Sequence, residues 1–243
     1  MSDRVENPSD AQDDAPDAAG RTLRRLVGES VWAELLALCY QRHHVAGSTL
    51  LRQGERGTHV LAVHSGVAKV IRRERNGDLK LLAFRGPGEI LGEVAVLDDG
   101  MRSASVQTIS DCVVGVMGKK DFLQFVTTHD LFPVLVRYAL TRLRESDLAR
   151  SGGDVLGRLA AVLVDLAVSS GNPATEPTNS TESGRSVELD LTRSELAQYL
   201  GTSRNTVTAA LADLEYAEVR AARKRIVISD LSALRRAAVN LRD

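Results

Sequence analysis

The chain has 243 residues, 43% of them hydrophobic but only 4% aromatic, so one large or two ordinary domains have to be packed mainly by aliphatic side chains. The net charge of −1 hides an uneven distribution. Asp3, Glu6, Asp10, Asp13, Asp14 and Asp17 against Arg4 alone give −5 in the first twenty residues and leave +4 for the rest. No apolar run approaches the roughly 20 residues that cross a bilayer, and the acidic N-terminus has neither signal- nor transit-peptide character, so a cytoplasmic protein with no membrane partner is expected.

Residues 1–20 are rich in Asp, Ala, Pro and Ser and poor in large apolar side chains, which predicts a disordered acidic tail. A short helix is predicted over 31–39, where Val31, Leu35 and Leu38 share a face behind Ser30 as N-cap. From 45 to about 118 glycine recurs between short apolar or alternating runs at 48–52, 60–64, 67–72, 79–84, 103–108 and 112–117. Short strands at close, regular spacing with turn residues between them predict a β-sandwich or barrel. Asn76-Gly77 predicts a two-residue type I′ hairpin turn.

Beyond Lys119 the spacing becomes helical. A short helix is expected over 121–127 and a long one over 130–150, with Pro133 confined to its first turn. Val134, Tyr138 and Thr141 run along one side of the long helix, with Leu131 and Leu148 near its ends, and this side is the expected dimer face. Gly152-Gly153 breaks the helix as a hinge. An apolar helix capped by Asp154 follows over 154–168, then a polar loop over 169–186 and a short strand over 187–191.

Residues 191–214 read LTRSELAQYLGTSRNTVTAALADL. Thr192 and Glu195 make a capping box. Ala197, Gly201 and Val207 have the helix-turn-helix spacing: a small residue where two helices cross, a glycine at the turn, a β-branched residue packed between them. The second helix of such a pair presents its N-terminal residues to the major groove. Here these are Ser203, Arg204, Asn205, Thr206 and Thr208. Arginine bonds guanine O6/N7 in bidentate fashion and asparagine bonds adenine N6/N7, whereas Ser203 and Thr206 suit phosphates, and Thr192 is a further candidate DNA contact. A hairpin-like segment over 219–228 carries Arg223, Lys224 and Arg225 between apolar ends and reads as a basic wing.

Two isolated cysteines, Cys39 and Cys112, cannot supply a four-thiolate cluster and read as buried thiols. The five histidines have no metal-ligand spacing and no nucleophile–base motif stands out. No metal and no catalytic residue are assigned, and an enzyme is not expected.

Residues 90–104 read ILGEVAVLDDGMRSA. This resembles the phosphate-binding cassette of cyclic-nucleotide-binding proteins, and with the helix-turn-helix the chain resembles the family of the catabolite activator and the fumarate–nitrate regulator (Crp/Fnr) over roughly residues 22–231. The turns around Leu51-Arg52-Gln53-Gly54-Glu55, His64-Ser65-Gly66-Val67 and Gly86-Pro87-Gly88 resemble that family too. The resemblance implies an α+β chain: an N-terminal jelly-roll β-barrel of the cyclic-nucleotide-binding type over 21–129, a long dimerisation helix over 130–151 and a winged helix-turn-helix over 154–243. It implies a dimeric transcriptional regulator on palindromic double-stranded DNA, with RNA polymerase as a further partner. No obligatory cofactor is implied, and the effector would be cAMP or a related cyclic nucleotide.

The implied effector residues are Gly92, Glu93, Val94, Arg102, Ser103 and Ala104. Backbone N–H groups at Gly92 would meet the anion, Glu93 a ribose hydroxyl, and Arg102 with Ser103 the cyclic phosphate. Two departures from the family pattern stand out. The hydroxyl pair that binds adenine is matched here only by Ser146 with Asp147. In the recognition helix, Asn205 and Ala209 replace two base-reading side chains, which leaves Arg204 as the main reader and implies a different palindrome. The alternatives are a family member that works without a nucleotide, or a regulatory module that acts on a protein partner rather than DNA.

Overall fold

The computed structural model describes residues 22–148, 154–171 and 186–240, with the side chains of 145–148 and 240 left out of the description. The acidic tail and the Gly152-Gly153 hinge lie outside the described residues.

Two short helices, α1 (Leu23–Val27) and α2 (Glu29–Ala37), open the fold. Gly28, not Ser30, precedes α2, so that helix starts two residues earlier than its sequence pattern suggests. Eight strands follow: β1 (Tyr40–His44), β2 (Thr49–Leu51), β3 (His59–Ser65), β4 (Ala68–Arg73), β5 (Leu79–Arg85), β6 (Ile90–Leu91), β7 (Ser105–Thr108) and β8 (Cys112–Gly118), with the short helix α3 (Glu93–Leu97) after β6. They form two four-stranded antiparallel sheets, in the orders β1-β8-β3-β6 and β2-β7-β4-β5. This is a jelly-roll of two sheets and not one continuously closed barrel. Leu61, Val63, Leu91, Val114 and Val116 of the first sheet meet Leu51, Ala68 and Val106 of the second in a common core. The six expected strand runs correspond to β2, β3, β4, β5, β7 and β8. Strand β1 was not legible because its side chains are polar and exposed.

The β4–β5 turn differs from the two-residue expectation. Glu74 N donates to Asp78 O at 2.8 Å, which closes a three-residue loop over 75–77, and Gly77 has φ 90° while Asn76 is not among the residues with positive φ. A type I′ turn needs positive φ at both central residues.

Helix α4 (Lys119–Thr128) leads to the long helix α5 (Phe132–Leu148), in which Pro133 is the second residue. Leu131, Leu135 and Tyr138 are buried with Trp32, Phe122 and Phe125 in the core of the N-terminal domain. This corrects the expected dimer face. Tyr138 is 1% exposed and turned toward the jelly-roll, whereas Phe132, Val136, Leu140 and Leu143 form an exposed apolar stripe.

The C-terminal part begins with α6 (Val155–Ser170), capped by the Asp154 carboxylate at 2.9 Å from Gly157 N. Strand β9 (Val187–Leu189), helices α7 (Arg193–Leu200) and α8 (Arg204–Asp213), strands β10 (Val219–Ala222) and β11 (Arg225–Ile228) and a last helix α9 (Leu231–Asn240) complete it. The three strands make one sheet in the order β10-β11-β9. The sequence signals end at the hairpin and did not indicate α9. Both cysteines are free thiols pushed up to about 11 by burial, so they are poor nucleophiles at neutral pH. No group of metal-ligating residues occurs among the described residues, and no described helix is long and apolar enough to cross a membrane.

Candidate functional site

The cassette is built on the β6–α3 turn. Gly92 is the N-cap of α3 and has φ 81°, in the left-handed region where a Cβ is disfavoured. Space gives a second reason for glycine: a Cβ there would lie 2.2 Å from Arg102 Nη1. Arg102 arrives from the loop before β7 and is 4% exposed. Its fork donates to Gly92 O and His59 O, each at 2.5 Å, so this arginine also holds the turn together. Burial lowers the guanidinium from its ordinary value while Glu93 and Glu55 work in the other direction. His59 is held below the usual histidine range by burial first, then by Arg102 and Arg42.

Glu93 is 8% exposed and is not left open to a ligand. Its Oε1 accepts from Arg142 Nη1 at 2.9 Å. Arg142 comes from α5, a residue the sequence reading passed over. Its Nη2 donates to Ile90 O at 2.9 Å, lies 3.4 Å from Glu89 Oε1 and bonds the Tyr138 hydroxyl. The guanidinium stacks over the Tyr138 ring, 4.0 Å from its centroid. Burial, above all, raises the Tyr138 phenol, so it stays neutral. The signal that could have found Arg142 is its spacing: it lies one turn beyond Tyr138 on the side of α5 that meets the jelly-roll, where a cation facing the interior demands a partner.

Val94 and Ser103 are exposed beside Glu93 and Arg102, and Ala104 is half-buried. Gly92, Glu93, Val94, Arg102, Ser103 and Ala104 therefore lie together around one turn. Ser146 is in α5, one turn beyond Arg142, and its side chain lies outside the described residues.

The second constellation is at α7–α8. The capping box is present: Glu195 N donates to Thr192 Oγ1 at 3.1 Å and Thr192 N to Glu195 Oε2 at 2.8 Å. Gly201 ends α7 with φ 66°, and Ala197, Leu200, Val207 and Leu211 are buried where the two helices cross. Ser203 caps α8 by accepting from Thr206 N at 3.1 Å, and the two hydroxyls share a 2.8 Å hydrogen bond. Thr208 Oγ1 donates to Arg204 O. Arg204 and Asn205 are exposed at the start of α8. In the wing, Ala222 pairs with Arg225 across a two-residue turn of Arg223 and Lys224, neither with positive φ. Arg223 and Lys224 stand at the tip, and Arg225 beside them is exposed in an ion pair, its Nη1 2.9 Å from Glu188 Oε2.

The family described as the cyclic nucleotide-binding domain matches residues 41–129, and that described as the Crp-like helix-turn-helix domain matches residues 157–237. The chain is 32% identical over 201 residues, covering 79% of it and 85% of the relative, to the CRP-like cAMP-activated global transcriptional regulator of Mycobacterium tuberculosis. It is 31% identical over 186 residues, 72% of it and 78% of the relative, to the cyclic AMP receptor protein of Thermus thermophilus. Its fold matches the c-di-GMP responsive global regulator CLP of Xanthomonas campestris with a TM-score of 0.53 at 22% identity, covering 83% of this chain and all but 1% of the other. The chain belongs to the Crp/Fnr family of transcriptional regulators, with an N-terminal cyclic nucleotide-binding domain and a C-terminal helix-turn-helix DNA-binding domain.

Proposed function

We propose that this regulator is a homodimer that reads a palindromic operator with α8 and is controlled by a cyclic nucleotide seated between the β6–α3 turn and α5. The observation that carries the effector reading is Arg142. It joins α5 to Glu93 of the cassette, so whatever engages Glu93 and Arg102 also acts on the long helix. The nucleotide's ribose would take Glu93 in competition with Arg142, and its phosphate would take Arg102 and the Ser103 hydroxyl. The named relatives favour cAMP as the ligand. Calorimetry with a panel of cyclic mono- and dinucleotides tests this. Binding of cAMP at micromolar concentration is expected, and no heat from any member at millimolar concentration would leave the cassette a structural turn.

Reading and holding DNA are assigned to different residues. Arg204 and Asn205 would reach base edges, with Thr192, Ser203, Thr206 and Thr208 on or near the phosphates. Arg223, Lys224 and Arg225 would reach the backbone, Arg225 by exchanging its exposed pairing with Glu188 for a phosphate. Arg204→Ala is expected to cost about 1–3 kcal/mol per half-site and to relax preference at one base pair. Lys224→Ala should weaken all sequences about evenly and lower the salt dependence, because one fewer counterion is released. Titration of a randomised palindrome library at two salt concentrations separates them. If Arg204→Ala leaves base preference intact while Lys224→Ala changes it, the wing is the reader. RNA polymerase is the further partner through which a DNA-bound regulator of this kind would act.

A further inference from the structure

The DNA-binding domain is clamped to the sensor by a set of contacts that centres on Lys69. This residue lies on β4 and is 5% exposed. Its ammonium is 2.8 Å from Glu195 Oε1, donates to Asp190 O at 2.9 Å and lies 3.9 Å from Asp190 Oδ2. All three of these oxygens belong to the DNA-binding domain. An ammonium taken out of water needs such partners, and here the partners come from the domain that covers it. Lys69 keeps these contacts only while the two domains stay docked, and undocking exchanges them for water.

Other contacts run beside it. β5 is an outer strand of its sheet. The Gln198 side chain pairs its edge, accepting from Leu81 N and donating to Leu79 O, both at 2.9 Å. Asp190 N donates to Ile109 O at 2.7 Å. The Phe84 and Tyr199 rings meet at 4.7 Å. Val67 and Ile109 of the sensor are fully buried in the core of the DNA-binding domain.

Glu195, Gln198 and Tyr199 all lie on α7, the first helix of the helix-turn-helix. That helix has to cross the DNA backbone when the second one enters the groove. Here one side of it lies against β4 and β5. We propose that this contact is an autoinhibitory latch, pinned by Lys69, which withholds α7 from DNA until the domain is released. The latch has its own line to the cassette. The chain runs from Arg102 through Ser103 and Ala104 straight into β7, where Gln107 pairs in register with Lys69. A shift of Arg102 would reach the pin through β7 without passing through α5. The proposal rests on α7 and α8 being the DNA-binding pair.

Glu195→Gln in the full chain is the test. Glutamine keeps an acceptor for the capping box but removes the charge that faces Lys69. Amide hydrogen exchange at Leu81 and Asp190 reads the docking directly, since both amides donate across the interface. Anisotropy of labelled operator DNA without added nucleotide reads the consequence. Exchange at both amides should rise, and DNA affinity should rise by about tenfold, the scale of one charge-assisted contact. Gln198→Ala, which leaves Lys69 and Glu195 alone, should act in the same direction and covers the case in which Glu195→Gln misfolds. Unchanged protection, or weaker DNA binding in the folded variants, overturns the latch. If neither wild type nor variants bind any DNA, the DNA-binding reading is at fault, while exchange still decides whether Lys69 pins the domains.

Discussion

Leu140→Glu is expected to turn the protein into a monomer at micromolar concentration. Phe132, Val136, Leu140 and Leu143 are 50%, 61%, 50% and 65% exposed, and their 4-4-3 spacing places them on one stripe of α5. The opposite side of the helix is already used, with Leu131, Leu135 and Tyr138 buried in the sensor core. An apolar stripe of this spacing is the seam along which two helices associate. A glutamate at Leu140 would place one carboxylate from each protomer at the seam. Desolvating them costs several kcal/mol per ion, which is enough to shift the dimerisation constant by about a thousandfold or more. Operator affinity should fall by roughly 10²–10⁴ as well, because the second half-site loses its tether to the first. Sedimentation velocity with and without operator DNA checks both. Tyr138→Glu is the contrasting variant: it would destabilise the N-terminal domain itself, since it removes the buried ring on which Arg142 stacks and the hydroxyl that Ile90 N bonds, and brings a third carboxylate to Arg142 beside Glu89 and Glu93. A Leu140→Glu protein that sediments like wild type, or a wild type that is monomeric with DNA present, removes α5 as the dimer seam.

Arg102→Ala should damage the protein twice. The guanidinium satisfies the carbonyls of Gly92 and His59 in a largely buried site. Removing it leaves two acceptors unpaired at about 1–3 kcal/mol each, so a loss of about 2–6 kcal/mol of stability is expected. For a chain of this size that lowers the melting temperature by roughly 10 °C in the absence of any nucleotide. The second effect is on ligand binding. A nucleotide that binds the native state raises the melting temperature of the wild type. That rise should vanish in Arg102→Ala, with affinity down by about tenfold or more. Arg102→Lys separates the effects in part, because a point charge can hold one carbonyl but not the fork. Differential scanning fluorimetry at several nucleotide concentrations reads both quantities. An Arg102→Ala protein that melts with the wild type contradicts the structural role, and a wild type that no nucleotide stabilises contradicts the effector role.

The sequence by itself determined what depends on neighbours along the chain. Glycine spacing located six of the eight jelly-roll strands, because a turn and the period of a strand are local properties. The α7–α8 pair was legible for the same reason: Thr192 and Glu195 cap within one turn, and Gly201 is where the chain has to adopt a left-handed backbone. Gly92, Glu93 and Arg102 were legible as a motif, but their present engagement was not. Glu93 finds Arg142 from 49 positions away, and Lys69 finds Asp190 from 121 positions away. The two faces of α5 show the limit most clearly. Tyr138 and Leu140 both lie in apolar stripes, so periodicity could not choose between them. Packing against Trp32, Phe122 and Phe125, together with the hydrogen bond from Ile90 N to the Tyr138 hydroxyl, turned the tyrosine inward and left the leucine outside. The reason is physical: local conformation follows from steric and hydrogen-bonding preferences a few residues wide, whereas the choice among several apolar faces, or among several partners for a buried charge, is made only by the surfaces that tertiary packing brings together.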